Sequence, residues 1–446
     1  MTVAKIKTKA EQGLAEQFSA VSAKLPGNAQ VQSARQAAID AFDGQGLPHR
    51  HIEEWKYTDL RNIVKDALPL AVSDTTEITI ADVIVALGPL QALDAQRIVL
   101  VNGAYRKELS SMDQQDGVAI TSLAEALAEG PVTAKGFAAG EAAPADDAVL
   151  ALNTAYMTDG AVVEIAKDQQ VDKPILIAHV RAGSQAGFTA ARHVLRAGAN
   201  SKVTVLEAFV SLPGAAAAGQ MNTASEVDVG DGAHVDHIKV AVDTGAVTHL
   251  ASWIGRLGKD SQYHGFHHTQ GVGLARNQMF VTFDGEGGDL DLSGSYLGRG
   301  TEHVDNTLVV DHAVPHGTSR ELFKCVLDEN ARGIFQGKVI VQQIAQKTDG
   351  KQMAQALMLS PDTEFDSKPE LEIYADDVLC GHGSTVAEID EDLMFYCQAR
   401  GIDKETARSL LVQSFIGEAI EVVENEDIRQ CLFAYAEQWL GERAES

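Results

Sequence analysis

The chain has 446 residues, of which 45% are hydrophobic and 22% are charged. These fractions are ordinary for a globular protein and exclude a disordered or fibrous one, and the length predicts two or three structural units. Lys and Arg number 36 against 63 Asp and Glu, so the formal net charge is −27. Because this charge repels phosphate backbones and anionic headgroups, nucleic acid and membrane surfaces are poor partner candidates.

The N-terminus carries no secretion signal, because residues 1–17 lack an apolar core and a small-residue cleavage site. The longest apolar stretches, such as residues 78–93, are interrupted by Asp82, Gly88 and Pro89. They fall short of the roughly 18 to 20 apolar residues that span a bilayer. The sequence therefore predicts a soluble, cytoplasmic protein.

The first unit is predicted over residues 1–145 and is helical or mixed. Residues 1–44 have Ala-rich helical spacing that ends at Gly44 and Gly46. In residues 48–60, Trp55 and Tyr57 are expected to anchor the segment to a core. A linker is predicted near residues 140–150, where Gly, Pro, Ala and Asp cluster.

The second unit is predicted over residues 146–388 and is rich in β-strands. From Ala161 onward, short segments alternate with period two, and 11 glycines lie between Gly255 and Gly300. Residues 197–206 also align weakly with residues 229–238 at an offset of 32. Repeated strands with Gly or Asn corners fit a sandwich or a β-solenoid, and the corners slightly favour the solenoid.

The third unit is predicted over residues 389–446 and is helical. Asp403 is a good N-cap, and apolar residues from Ala407 to Val422 follow one helical face. A second helix is predicted over residues 428–440. Because this unit is too small for a large core of its own, it must pack on the β region or present a face to a partner.

The histidines are concentrated in one region, with nine of the 14 between His234 and His316. Imidazole is the commonest metal ligand, but no HExxH or facial-triad spacing occurs. His312 and His316 flank Pro315, which would break a helix that aligned their rings. Structural or surface histidines are therefore favoured over a metal site.

Several kinds of site are not indicated by the sequence. The four cysteines form no CxxC pair, which argues against a disulfide framework, a zinc site or a ferredoxin-type cluster site. No GxxxxGK[ST] loop is present, and the GEGG at residues 285–288 is not followed by a helical pattern. The chain shows no sign of using ATP or NAD.

Cys380 and His382 are two residues apart, so on a strand both side chains point to the same face. An imidazole on that face can favour the thiolate, and the two groups together are a plausible iron-binding pair. On spacing alone, a buried cysteine and a satisfied histidine are the favoured interpretation.

Two longer motifs identify a family. Residues 366–415, beginning DSKPELEIYADDVLCGHGSTV, resemble the C-terminal signature of the SufB/SufD family of iron–sulfur cluster assembly scaffolds. EEWKYTDL at Glu53–Leu60 resembles an N-terminal element of the same family. Gly383 after His382, and the absence of cysteine from residues 352–356, resemble the SufD branch of the family rather than the SufB branch.

The resemblance implies a mainly β fold: a right-handed parallel β-helix core flanked by N-terminal and C-terminal helical domains. It implies a non-catalytic scaffold that pairs with SufB through its β-helix and docks the ATPase SufC on its C-terminal helices. His382, with Cys380 beside it, would lie at the SufB interface and hold iron transiently. The residues expected to contact SufC are Phe395, Arg400, Leu410 and Phe415.

The resemblance also bears on cofactors and on alternatives. No tightly bound cofactor is expected, but iron or a nascent cluster would be held transiently at the SufB interface, and the complex could take a reduced flavin. The isolated chain could form a homodimer. Two other functions stay open: a β-helix enzyme acting on carbohydrate, for which Glu286, Asp289 and Asp291 are the acids, and a purely structural adaptor.

Overall fold

The computed structural model describes residues 7–71, 77–112, 115–131, 147–243 and 245–445. The α-helices are α1 (Lys9–Val21), α2 (Ala29–Gln45), α3 (Leu60–Ile63), α4 (Ile80–Ala86), α5 (Leu123–Glu129), α6 (Ala148–Tyr156), α7 (Glu391–Ala399), α8 (Lys404–Ile420) and α9 (Glu426–Glu445).

The strands are β1 (Gln96–Val101), β2 (Ala104–Tyr105), β3 (Val118–Ser122), β4 (Ala161–Ile165), β5 (Ile175–Arg181), β6 (Phe188–Ala197), β7 (Lys202–Ser211), β8 (Ala218–Val229), β9 (His234–Ala241), β10 (Gly245–Leu257), β11 (Gln262–Gln270), β12 (Val272–Phe283), β13 (Asp289–Gly298), β14 (His303–His312), β15 (Thr318–Leu327), β16 (Arg332–Val341), β17 (Asp349–Met358), β18 (Glu364–Ile373) and β19 (Leu379–Ala387).

Successive strands alternate between two long sheets. Across the described residues, sheet one has the order β2-β1-β5-β7-β9-β11-β13-β15-β17-β19, and sheet two has the order β18-β16-β14-β12-β10-β8-β6-β4-β3. From β4 onward all neighbouring strands are parallel, so each coil of chain adds one strand to each sheet. The predicted mainly β fold, with a parallel β-helix core and helices at both ends of the chain, is confirmed.

The domain boundaries stay predictions. The linker was predicted at residues 140–150. Residues 140–146 lie outside the described residues, and the described chain resumes at Asp147. Strands β1 to β3 precede this point and already belong to the two sheets.

The weak repeat at an offset of 32 is one coil of the solenoid. Val203 of β7 pairs in register with Val235 of β9, and the Gly230 amide donates to the Ala197 carbonyl at 2.8 Å. The corners stack as well, with Asn200 and Gly232 both left-handed, at φ 57° and 65°. Because only glycine adopts this conformation freely and Asn tolerates it, these residues mark the corners of a solenoid.

The apolar residues fall into an interior core and two outer layers. Alternate side chains such as Val235, Trp253 and Phe335 fill the inside of the solenoid. Helices α1 and α6 cover the outer face of sheet two, where Phe188 lies. Helices α8 and α9 cover the outer face of sheet one, against Ile238 and its neighbours. Among the described residues, no helix is both long and apolar enough to span a bilayer, and the cytoplasmic location stays a prediction.

The EEWKYTDL segment is clamped to the outside of sheet two. Trp55 is buried, as predicted, and the Arg276 guanidinium lies 3.8 Å from its ring. Arg276 also donates to the Glu54 carbonyl at 2.8 Å and pairs with the buried Asp305 carboxylate, which accepts from the Thr58 hydroxyl. The motif residues thus anchor the N-terminal segment to the solenoid.

Candidate functional site

The solenoid ends in two strands that each have a free edge in the described chain. Strand β18 is the last of sheet two, and β19 is the last of sheet one. In a continuous solenoid the next coil would cover such a pair and bury its inward side chains. Here large apolar residues near these strands stay exposed: Ile373, Tyr374, Leu379 and Val386. This open end is defined by residues 364–387.

Cys380 and His382 occupy inward-facing positions of the open end. Their register partners on β17 are Gly350 and Gln352, which are buried in the coil below. Cys380 is half-buried and packs against the interior core, whereas His382 is exposed. The prediction that both residues share a face therefore agrees with the pairing, and His382 lies where another coil or a partner would cover it.

The Cys380 thiol is not activated in the isolated chain. Burial raises its pKa, and Asp349 and Glu321 raise it further, whereas a hydrogen bond involving the Gly350 backbone lowers it. A neutral thiol is a poor metal ligand, so a bound cation must supply the charge that favours the thiolate.

Two buried polar side chains lie in line beneath His382. Glu321, Gln352 and His382 are register partners on β15, β17 and β19. Among the described residues, the Gln352 side-chain oxygen and the two Glu321 carboxyl oxygens have no hydrogen-bond partner. Burial raises the pKa of Glu321 to about 8, although the nearby Ser319 hydroxyl acts in the opposite direction. Glu321 is therefore largely protonated at neutral pH.

Sequence reasoning missed Glu321 and Gln352. In SRELFKCVL the alternate residues Ser319, Glu321, Phe323 and Cys325 share one strand face, and Phe323 and Cys325 belong to the interior core. The sequence did offer one indication of a site, which is that Glu321 is a charged residue on this inward face. The position of Glu321 relative to His382 depends on the number of residues in each coil, which the sequence shows only weakly.

Helix α7 next to the open end is unusually exposed. None of its nine residues, all within the described chain, is buried. Phe395 is 71% exposed, and Leu393 and Tyr396 are also exposed. The Arg400 guanidinium lies 4.8 Å from the Tyr396 ring. A helix with no fully buried residue and several exposed apolar side chains has a surface suited to a partner.

The other two residues predicted to contact a partner lie on α8. Leu410 is 46% exposed, so it can extend the surface of α7. Phe415 is only partly exposed, because its ring packs on the C-terminal core and lies 4.5 Å from the Lys324 ammonium. Lys324 in turn pairs with Glu418 and ties α8 to β15. Phe415 therefore contributes mainly to the packing of α8 on the solenoid.

Five of the nine histidines in the histidine-rich region are buried, and their structural role stays a prediction. His237, His249, His267, His268 and His312 are all buried. His237 contacts Glu207 at 2.7 Å and the Tyr263 hydroxyl at 3.0 Å. Burial lowers the pKa of His268 and of His312 to about 4, so both stay neutral at physiological pH.

Fold and site together define a class of protein: a parallel β-solenoid with an open end that carries a thiol and an imidazole, flanked by an exposed helix. Two family models match nearly the whole chain. "SUF system FeS cluster assembly, SufBD core domain" matches residues 179–415, and "SufBD protein N-terminal region" matches residues 9–177. The chain belongs to the SufB/SufD family of iron–sulfur cluster assembly proteins, and it is SufD-like.

Curated relatives agree with this family over most of their length. The chain is 29% identical to the iron–sulfur cluster assembly protein SufD of Escherichia coli, over 87% of this chain and 88% of the relative. It is also 29% identical to an iron–sulfur cluster assembly SufBD family protein of Synechocystis, with 89% of each chain covered. SufD of Bacillus subtilis is 25% identical, over 95% and 97% of the two chains.

Proposed function

We propose that this chain is a non-catalytic scaffold subunit that pairs its open end with SufB, docks the ATPase SufC on α7 and α8, and helps to build iron–sulfur clusters. The observation that carries the proposal is the position of His382, exposed on the last, uncovered coil. Membership of the SufB/SufD family favours this role over a carbohydrate-active enzyme built on Glu286, Asp289 and Asp291.

Pairing through the open end follows from the chemistry of strand edges. Strands β18 and β19 present backbone donors and acceptors that no other described strand satisfies, next to exposed apolar side chains. Such an edge is a template for strand addition by another chain. A SufB solenoid that continued both sheets would satisfy these groups and bury Leu379 and Val386. In the isolated chain, a second copy could bind there instead.

His382 and Cys380 would receive iron as a substrate in that interface. Covering the end of the solenoid removes water, and a bound cation favours deprotonation of the Cys380 thiol. His382 supplies an imidazole nitrogen, and the remaining ligands come from SufB. A reduced flavin bound by the assembled complex stays a prediction.

Replacing His382 with Ala tests this role. We expect cluster formation on the complex reconstituted with SufB and SufC under anaerobic conditions to fall by about 10-fold or more, since ligand loss weakens metal sites by at least that factor. Because His382 is exposed, the variant should fold and assemble normally. His51→Ala, at an exposed histidine far along the chain, is the control. An unchanged cluster yield would leave only the structural adaptor function.

Replacing Phe395 with Ala tests the docking surface. Truncating a central aromatic anchor costs about 2 kcal/mol or more of binding free energy, so SufC should bind roughly 30-fold more weakly. The control is Ile344→Ala, which removes an apolar side chain that is 65% exposed on a solenoid corner. Calorimetric titration with SufC measures both. Equal affinities for the two variants would remove Phe395 from the docking surface.

A further inference from the structure

Two histidines from successive coils meet on the outer face of sheet one. His234 begins β9 and His264 lies on β11, and these strands pair in parallel with Asp236 in register with His264. The loop between α8 and α9 covers this point with Val422, Val423, Glu424 and Asn425. The cluster is therefore built from the solenoid and the C-terminal helical unit together.

The side chains converge on one small volume. The Asp236 Oδ1 atom lies 3.0 Å from His234 Nε2 and 3.4 Å from His264 Nδ1. Three possible ligand atoms lie within 4.8 Å of one another: an imidazole nitrogen each from His234 and His264 and a carboxylate oxygen from Glu424. Donors around a tetrahedral ion with bonds of about 2.1 Å are roughly 3.4 Å apart. Glu424 is 53% exposed and lies in a loop, so it is free to make this small approach.

A cavity of about 20 Å³ lies at the same point, bounded among others by Asp236, His264, Asp291 and Glu424. This volume accommodates roughly one water molecule or one ion. The cavity is thus lined by three carboxyl groups and one imidazole, which are ligands that a small cation accepts.

The charges around the cavity favour a cation. Asp236, Asp291 and Glu424 supply three carboxyl groups, and Lys202 pairs with Glu424 at 3.6 Å. Arg320 also acts on Asp291, although its ion pair is with Asp349. The three carboxyl groups at the cavity would attract a divalent ion.

We propose that His234, His264 and Glu424, with Asp236 as a fourth ligand or as the group that orients both imidazoles, bind one divalent transition-metal ion. Imidazole with carboxylate suits Zn²⁺ or Fe²⁺. This site is separate from His382 and does not depend on the role proposed for that residue. A metal here would tie the loop between α8 and α9 to strands β9 and β11, and so would hold the helical unit on the solenoid.

The competing explanation is an ion-pair network without metal, in which two imidazolium groups share Asp236. Metal titration of the full chain distinguishes the two. After treatment with a chelator and its removal, the chain is titrated at pH 7.5 with Co²⁺, followed by visible absorption, and with Zn²⁺, followed by calorimetry. We expect one ion per chain and a higher thermal unfolding temperature with metal, because the ion binds the folded state.

Three variants make the test specific. His264→Ala should weaken binding at least about 10-fold. Glu424→Gln should weaken binding and reduce the thermal shift by metal, and because Glu424 is exposed this variant should fold even if His264→Ala does not. Glu388→Gln, at an exposed position beyond β19, should leave the titration unchanged. The proposal is overturned if the wild-type chain binds no ion, or if Glu424→Gln and His264→Ala bind as the wild type does.

Discussion

Replacing Asp305 with Asn is expected to lower the free energy of unfolding by about 3–5 kcal/mol, because it leaves Arg276 as a buried charge without its partner. Both side chains are almost completely inaccessible, at 0% and 1% exposure. Asp305 also accepts from Thr58, Thr307 and Gln336, and Asn can keep only part of these contacts. The midpoint of urea unfolding measures the loss.

The matched control is Asp284→Asn, which breaks the exposed pair of Asp284 with Arg256. That change should lower the free energy of unfolding by less than about 1 kcal/mol. The double variant Arg276→Met with Asp305→Asn should lose less free energy of unfolding than the two single variants together. The reason is that the double variant leaves no unpaired buried charge. Asp305→Asn could instead lower the free energy of unfolding by no more than Asp284→Asn does. That result would show that the pair of Arg276 with Asp305 does not hold residues 53–58 on the solenoid.

Replacing Glu321 with Gln should change how stability depends on pH. Burial raises the pKa of Glu321 to about 8 in the folded chain, from its ordinary value of 4.5. Between these pH values the folded chain keeps a proton that the unfolded chain has released. The stability from this group is therefore complete below about pH 4.5 and is lost as the pH rises towards 8. Gln keeps the shape and removes the titration.

We expect the variant to gain on the order of 3 kcal/mol of stability relative to the wild type between pH 5.5 and pH 8.5. Urea unfolding at the two pH values measures this difference. Glu388→Gln, at an exposed position beyond β19, is the control and should follow the wild type at both values. If the free energy of unfolding depends on pH in the same way for Glu321→Gln and the wild type, the Glu321 carboxyl group is ionised inside the solenoid.

Glu321 connects stability with the proposed function. It lies two strands below His382 in the same inward-facing column, and burial raises its pKa. If SufB closes the open end and iron enters at His382, the positive charge would favour the ionised form of Glu321. The protonation of Glu321 would therefore depend on whether a cation is bound at His382.

The family, the mainly β fold and the placement of Cys380 and His382 on one strand face could be predicted from the sequence, whereas the role of the two residues stays a prediction. Period-two segments, Gly and Asn corners and the motif around His382 are local patterns, which a linear sequence preserves. Trp55 was likewise predicted from its motif as a buried anchor, and it is buried. The N-cap predicted at Asp403 is also present, because its side chain accepts from the Thr406 amide at 3.0 Å.

The contacts between coils were decided only by the tertiary structure. His234 and His264 are 30 residues apart, and so are Gln352 and His382, yet they are neighbours because adjacent coils stack in register. Which outer face the helices cover likewise depends on packing: Phe415 is turned towards Lys324, whereas no residue of α7 is fully buried. Local propensity determines that strands and corners form, whereas the number of residues in each coil determines which side chains meet.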